Sequence, residues 1–184
     1  EYETYEGNNM CFKYDDTLEI SSREQKIGKN ITISSKEKDI EITTFLFEYK
    51  HMKKEWFFDS MVEQFENAYG TYKTVKKRIW FSNNILGIKH YREYEIVEND
   101  DVSMKFLAQV QKLKGDYVMV SLAYVGGNIE ENEKLAKKVM NTIKYSKVEA
   151  SEELEVSPYP LTVLWLHLFT LDKLNMNIEL NIDD

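Results

Sequence analysis

Apolar and polar residues alternate over much of the first half of the chain, and a repeat of two residues is typical of β-strands. The clearest early run covers residues 39–50, and shorter runs precede it at 10–14, 18–22 and 31–34. We predict a strand at each of these places and an irregular arm over residues 1–9. In the longest run one face carries Ile40, Ile42, Thr44 and Leu46, and the other carries Glu41, Thr43, Phe45, Phe47 and Tyr49.

The spacing of apolar residues changes to three and four between residues 53 and 69, which is the repeat of an amphipathic helix. Gly70 follows at the position where a left-handed residue commonly ends a helix. We therefore predict a helix with a wide, largely aromatic stripe. The stripe comprises Trp56, Phe57, Phe58, Met61, Val62, Phe65, Ala68 and Tyr69.

Four more strands are predicted after this helix, at residues 74–81, 86–97, 102–113 and 117–125. Short turns separate them, so we expect an antiparallel meander. The last of the four is almost wholly apolar, as expected for a central strand that is covered on both faces.

A second helix is predicted from Asn128 to residue 144, behind the turn Gly126-Gly127-Asn128, because asparagine is a favoured helix cap. With this helix the elements define an α+β fold class. The expected architecture is an antiparallel sheet of about six strands flanked by two helices. We assign this domain to residues 1–146.

Residues 147–160 are predicted to form an acidic linker, and residues 161–184 a helix and a strand of their own. About 24 residues are too few to fold alone. This extension therefore docks on the main domain, pairs with another copy or belongs to a second domain. The residues predicted to dock or self-associate are Leu161, Leu164, Trp165 and Leu168, and the predicted strand carries Met176, Ile178, Leu180 and Ile182.

The formal net charge is −8, and residues 147–184 hold −6 of it, because two lysines face eight acidic residues there. An acidic end repels phosphate backbones and anionic lipid, which argues against nucleic acid as a partner. A basic cluster lies within residues 73–78. We interpret it as a solvated strand face that protects a sheet edge, with a site for an anion or an acidic partner as the alternative. The cluster consists of Lys73, Lys76, Lys77 and Arg78.

The sequence is compatible with more than one cellular compartment. No run of 18 uncharged apolar residues is present, so no transmembrane segment is expected. Cys11 is the single cysteine, which excludes an intrachain disulfide. The chain begins at Glu1 without a signal-type apolar stretch, which leaves a cytoplasmic protein and a membrane-tethered extracytoplasmic one as alternatives.

Catalytic and metal-binding sites need groups that converge, and the sequence offers few. His51, His90 and His167 are far apart, and none forms the i, i+4 pair of a helical zinc site. The glycine turn before the second helix lacks the lysine and hydroxyl of a phosphate-binding loop. We expect no catalytic residue, no metal and no cofactor. The alternatives are a base or ligand at His90, a reactive thiol at Cys11 and an anion at the turn.

Aromatic residues make up 13% of the chain and suggest a binding surface. Consecutive helical residues are about 100° apart, so the three rings of Trp56, Phe57 and Phe58 cannot all face inward. The alternatives are a wide aromatic core and a partly exposed patch that binds a peptide or protein. The candidate partner-binding residues are Trp56, Phe57, Phe58, Trp80 and Tyr91.

Several stretches occur in an order that is known from one superfamily. They are Tyr5-Glu6-Gly7 with Phe12, residues 40–47, Gly87, residues 117–125 and the last helix to Ile143. Over residues 5–146 the chain resembles the PsbP-like superfamily, which includes DcrB-like bacterial proteins and Ran-binding Mog-type proteins. One usual aromatic is missing, because Thr17-Leu18-Glu19-Ile20 stands in its place, and the likeness stops at Ser146.

The resemblance implies an antiparallel sheet flanked by helices and a non-enzymatic, protein-binding role. Some members are membrane-tethered lipoproteins, and others are chaperones for secreted effectors. The leading hypothesis is therefore a binding module without catalysis. A second hypothesis is a chaperone or carrier that holds an apolar segment or a lipid in a groove lined by Phe45, Phe47, Met61 and Phe65. A third is an enzyme that uses His90 with a nearby acid.

Overall fold

A computed structural model describes residues 1–25, 28–48, 74–84, 87–112 and 117–149. These ranges contain ten strands and one helix, α1 (Ile129–Thr142). The strands are β1 (Tyr2–Gly7), β2 (Met10–Asp15), β3 (Glu19–Gln25), β4 (Gly28–Ser35), β5 (Ile40–Glu48), β6 (Thr74–Asn84), β7 (Gly87–Glu98), β8 (Asp101–Lys112), β9 (Tyr117–Val125) and β10 (Lys144–Tyr145).

The larger sheet has seven strands in the order β3-β4-β5-β9-β8-β7-β6, and every neighbouring pair is antiparallel. It consists of two meanders that meet where β5 pairs with β9. This seam aligns Ile40 with Val125 and Ile42 with Ala123, so the even-numbered residues of β5 and the odd-numbered residues of β9 lie on the same face. The predicted meander of four strands is confirmed, and its apolar last strand lies between two neighbours.

A smaller sheet in the order β1-β2-β10 and the helix α1 cover one face of the larger sheet. Below, this is called the helix face. Isoleucines at alternate positions of β4 and β5 belong to the same buried cluster as the apolar stripe of α1. A strand repeat of two thus supplies one apolar face, and a helix repeat of 3.6 supplies the stripe that covers it. The buried cluster includes Met10, Phe12, Ile31, Ile33, Ile40, Ile42, Ala123, Val125, Ala136, Val139 and Met140.

The helix α1 begins and ends close to the predicted positions. Asn128 has extended backbone and its side chain accepts a hydrogen bond from the backbone N–H of Glu131, so it is the N-cap. Glu130 and Glu131 lie in the first turn, where negative charge favours the helix dipole. α1 is the helix that the described residues contain, and it lacks the length and apolar character needed to cross a membrane.

The prediction of an arm over residues 1–9 is wrong, because residues 2–7 form β1. A two-residue turn at Asn8 and Asn9 pairs β1 with β2, and both residues adopt the left-handed backbone that such turns require. The strand was missed because Tyr2-Glu3-Thr4-Tyr5 carries few apolar residues. Most side chains of this edge strand are exposed, so it can form without an apolar repeat.

The α+β class and the antiparallel arrangement are confirmed, with seven strands in the main sheet rather than about six. The flanking helix predicted at residues 53–69 lies outside the described residues, as do residues 150–184. Ser146 and Val148 still hydrogen-bond to Asn9, through the Ser146 N–H and the Val148 carbonyl. The division of the chain after residue 146 stays a prediction.

Candidate functional site

The two predicted binding residues on the meander are brought together by strand register. Trp80 of β6 is the direct partner of Tyr91 of β7, so both lie side by side on the helix face. Only the backbone of Trp80 is described, whereas the Tyr91 side chain is half-buried and packs against the core under α1. Among the described strands, β6 is the last one of the sheet. The aromatic pair therefore lies at one edge of the sheet as far as the described strands form it.

The Tyr91 hydroxyl is held in place from within its own strand. It donates a hydrogen bond of 3.1 Å to Oε1 of Glu93, two residues further on and hence on the same face. Burial raises the pKa of the Tyr91 phenol, and the negative charge of Glu93 raises it further. The phenol is therefore protonated at neutral pH and continues to donate.

Next to Tyr91 lies a group of five ionisable side chains, here called the charged cluster. Lys137 Nζ lies 3.0 Å from Oε1 of Glu93 and 2.7 Å from Oε1 of Glu133. Lys105 Nζ lies 2.9 Å from Oε2 of Glu133 and 3.3 Å from Oε1 of Glu95. Both lysines thus share Glu133, and each also reaches a carboxylate on β7.

The two carboxylates that β7 contributes to the charged cluster are buried, which is costly unless each charge is paired, whereas the Lys137 side chain is 39% exposed. The side chains of Glu93 and Glu95 are 3% and 6% exposed. Removing a carboxylate from water costs several kcal/mol, which only close partners offset. Because the cluster joins residues of β7, β8 and α1, it fixes the helix at one position on the sheet.

Two pKa shifts show how tightly these groups are coupled. Burial of Glu133 favours its neutral form, but hydrogen bonds from Lys137 and Lys105 outweigh burial, so the pKa of Glu133 is lowered. Burial of Lys137 favours the uncharged amine, but Glu133 and Glu93 outweigh it and the pKa of Lys137 is raised. Each group is held more firmly in its charged form. Neither is placed to exchange a proton near neutral pH.

The turn before α1, where an anion was the alternative, is filled by the chain itself. The Asn132 side chain is buried and donates to the backbone oxygens of Lys38 at 2.6 Å and Gly126 at 2.8 Å. The Tyr124 hydroxyl donates to Oδ2 of Asp39 at 2.9 Å. The Asn132 bond to Lys38 joins the β4–β5 turn to α1, and the Tyr124 bond joins the same turn to the end of β9. They support a purely structural connection at this place.

The described residues offer few other groups that could take part in catalysis or bind a metal. Cys11 is a partly exposed free thiol. Within the described ranges, no three side chains among histidine, cysteine, aspartate and glutamate lie close enough together to hold a metal ion. His90 pairs by register with Phe81 and Val110, and its side chain is not described. The enzyme hypothesis at His90 therefore remains a sequence-based one.

Several predicted residues lie outside the described part of the chain. They are the helical aromatics Trp56, Phe57 and Phe58, and the tail residues Leu161, Leu164, Trp165 and Leu168. Of the four residues proposed to line a carrier groove, Phe45 has a described side chain and is buried. The groove itself stays a prediction.

Sequence reasoning missed the charged cluster. Glu93 and Glu95 alternate with apolar residues in β7, so the sequence suggested that they face solvent. In the structure their face is covered by α1. One signal was present, because Glu133 and Lys137 are spaced i, i+4 on a predicted helix and hence lie on one face.

Comparison with solved structures supports a PsbP-like fold, as the resemblance implied. The solution structure of cyanobacterial PsbP (CyanoP) from Synechocystis sp. PCC 6803 is similar, with a TM-score of 0.57 over 79% of this chain and 92% of that one. The two sequences are 10% identical, so the likeness concerns the fold. No family model and no curated protein matches the sequence.

Proposed function

We propose that this chain is a non-catalytic binding module of PsbP-like form that engages another protein through the aromatic residues Trp80 of β6 and Tyr91 of β7. The observation that carries the proposal is the pairing of Trp80 with Tyr91 at the last described strand of the sheet. Tryptophan and tyrosine are the residues most enriched among those that dominate interface energies. The helical aromatics Trp56, Phe57 and Phe58 are proposed to extend the same kind of surface.

The surroundings of Tyr91 suit a binding role. Its hydroxyl is fixed by Glu93, and Glu93 is fixed in turn by Lys137 of α1. A ring held this way loses little conformational entropy when a partner covers it, so more of the contact energy appears as affinity. The charged groups beside it are paired with one another. This supports a role in positioning rather than in proton transfer.

The test is affinity capture from the native host with the full chain as bait, followed by quantitative mass spectrometry. Trp80→Ala is expected to lower recovery of the wild-type partner about tenfold or more, the loss typical of a central interface aromatic. Tyr2→Ala is the matched control, because Tyr2 is a 53% exposed aromatic on the smaller sheet. Equal recovery by Trp80→Ala and Tyr2→Ala, with both variants folded by circular dichroism, would contradict the proposal.

We also propose that residues 161–184 either dock on the main domain or join two copies, through Leu161, Leu164, Trp165 and Leu168. The support is the apolar spacing of a segment too short to be stable alone. Size-exclusion chromatography with light scattering, on the chain with and without residues 151–184, separates the two outcomes. A dimer that becomes a monomer on truncation indicates self-association, and a monomer in both cases excludes it.

A further inference from the structure

We propose that residues 175–183 add to the edge of β6 as a further strand of the same chain's main sheet. This inference rests on the proposed docking of the tail and names the surface that receives it, the outer backbone edge of β6. The protein partner proposed above contacts the aromatic residues Trp80 and Tyr91 instead of that backbone edge. Among the described strands, β6 has a neighbour on one side only, namely β7. An edge strand presents unpaired backbone N–H and C=O groups that another strand can bind.

Charge selects β6 among the sheet edges. Residues 74–84 carry Lys76, Lys77 and Arg78 and no acidic residue, a charge of +3. At the opposite edge of the same sheet, β3 carries Glu19, Arg23 and Glu24, a charge of −1. In the smaller sheet, the edge strand β1 has two glutamates and no basic residue, and the opposite edge strand β10 has two residues, of which Lys144 is basic. Among the described edge strands, β6 therefore has the most positive charge, and it is the one that would attract an acidic segment.

The tail supplies such a segment. Residues 175–183 carry two acidic residues and no basic one, a charge of −2, and the acidic Asp184 follows directly. Their apolar residues alternate strictly with polar ones, and that period predicts a strand with one apolar and one polar face. The apolar set is Met176, Ile178, Leu180 and Ile182, and the polar set is Asn177, Glu179, Asn181 and Asp183.

The two faces of β6 match this pattern. Register with Glu95 and Glu93 places Lys76 and Arg78 on the helix face, next to Trp80. The same register places Val75, Lys77, Ile79 and Phe81 on the opposite face, which is therefore apolar at three of these four positions. A strand paired with β6 can thus bring its acidic residues beside Lys76 and Arg78 while its apolar residues join the apolar face. Shifting the pairing by one residue would lose both matches at once.

The chain is long enough to reach this edge. Val148 is hydrogen-bonded at the turn between β1 and β2. Roughly 12 extended residues at about 3.3 Å each and roughly 14 residues of the predicted tail helix at about 1.5 Å each span up to about 60 Å. A domain of this size is about 40 Å across. Closing such a connection costs little more than closing a shorter one, and it keeps the segment at a high effective concentration. Pairing within one chain is therefore favoured over pairing between two.

Hydrogen–deuterium exchange of the full-length protein alone tests the pairing. In the wild type, half of the β6 amides face the added strand and are protected by it. Leu180→Pro removes a backbone donor and disrupts the strand, so peptides covering residues 74–84 should exchange about tenfold faster or more. Val156→Pro, in the acidic linker, is the matched control and should leave this exchange unchanged. Equal exchange in wild type and Leu180→Pro would overturn the proposal.

Charge reversal checks the proposed attraction between the basic residues of β6 and the acidic residues of the tail. Arg78→Glu should speed exchange of β6 in the same way, and adding Glu179→Lys should restore protection, which a merely misfolded variant would not do. Lys13→Glu, at an exposed position of the smaller sheet, should have no effect. Protection that rises with protein concentration would instead assign the segment to a second copy and overturn pairing within the chain. The measurement involves no partner, so its outcome is independent of the Trp80 capture experiment.

Discussion

Replacing Lys105 with methionine is expected to lower the free energy of unfolding by about 3 kcal/mol, because breaking a buried ion pair leaves its partners uncompensated. Lys105 is buried between β8 and α1, and its ammonium contacts both Glu95 and Glu133. Methionine keeps the apolar stem but removes the charge, so the loss reports on the ion pairs rather than on packing. Urea denaturation followed by circular dichroism measures it.

Lys134→Met is the matched control for this substitution. Its ion pair with Glu130 has the same chemistry, but the two side chains are 72% and 85% exposed. Exposed pairs of this kind contribute little to stability, so the control should unfold at the wild-type midpoint. Equal stability of the two lysine variants would show that the charged cluster does not hold α1 to the sheet.

The same pair of variants should respond differently to acid. The lysines lower the pKa of Glu133 below its ordinary value of 4.5, so its contribution to stability is complete above that value and is lost as the pH falls through the lowered pKa. Lys105→Met removes one cause of that lowering. Its deficit relative to wild type should therefore shrink below about pH 4, which denaturation curves at a series of pH values will reveal.

Gly127→Ala is expected to destabilise the fold by about 2–3 kcal/mol, because alanine combines a disfavoured backbone conformation with a steric overlap. Gly127 has a φ of +55° in the turn before α1. A Cβ atom there would lie 2.6 Å from the backbone oxygen of Lys38. That oxygen is fixed by its hydrogen bond from Asn132 and cannot move away without breaking it. Thermal and urea unfolding both measure the change.

Gly126→Ala provides the comparison. A Cβ at this position would meet the side-chain atoms Asp39 Oδ2 and Tyr124 Oη rather than backbone, and the backbone of Gly126 is not in the left-handed region. Side chains can rotate aside at the cost of their mutual hydrogen bond. The variant should thus be less destabilised than Gly127→Ala. The reverse order would mean that the turn is held differently from the description given above.

Much of the fold follows from local pattern. The strand β9 and the helix α1 were predicted within one or two residues, because each is specified by its own apolar spacing and by the turn at Gly126 and Gly127. The strand β1 was missed because its stability comes from pairing with β2. The main sequence signal for that pairing is the turn of two asparagines, both of which adopt the left-handed backbone conformation. Such partners are invisible to a scan for apolar repeats.

The candidate site was predictable only in part. The aromatic character of Trp80 and Tyr91 is evident in the sequence, but their adjacency depends on register, which the pairing of Asn84 with Gly87 sets at the hairpin end. The charged cluster was not predictable as buried. A period of two shows which residues share a face, and only the position of α1 shows which face is covered.

The seam between β5 and β9 also governs the order in which the molecule can assemble. About 70 residues of chain separate two strands that are immediate neighbours at the middle of the sheet, and such distant pairings slow folding. During synthesis on the ribosome, β3, β4 and β5 can pair with one another early. The second partner of β5, the strand β9, becomes available only after the second meander has been synthesised. The apolar face of β5 stays exposed meanwhile, which makes this interval the one in which a nascent chain most needs protection from aggregation.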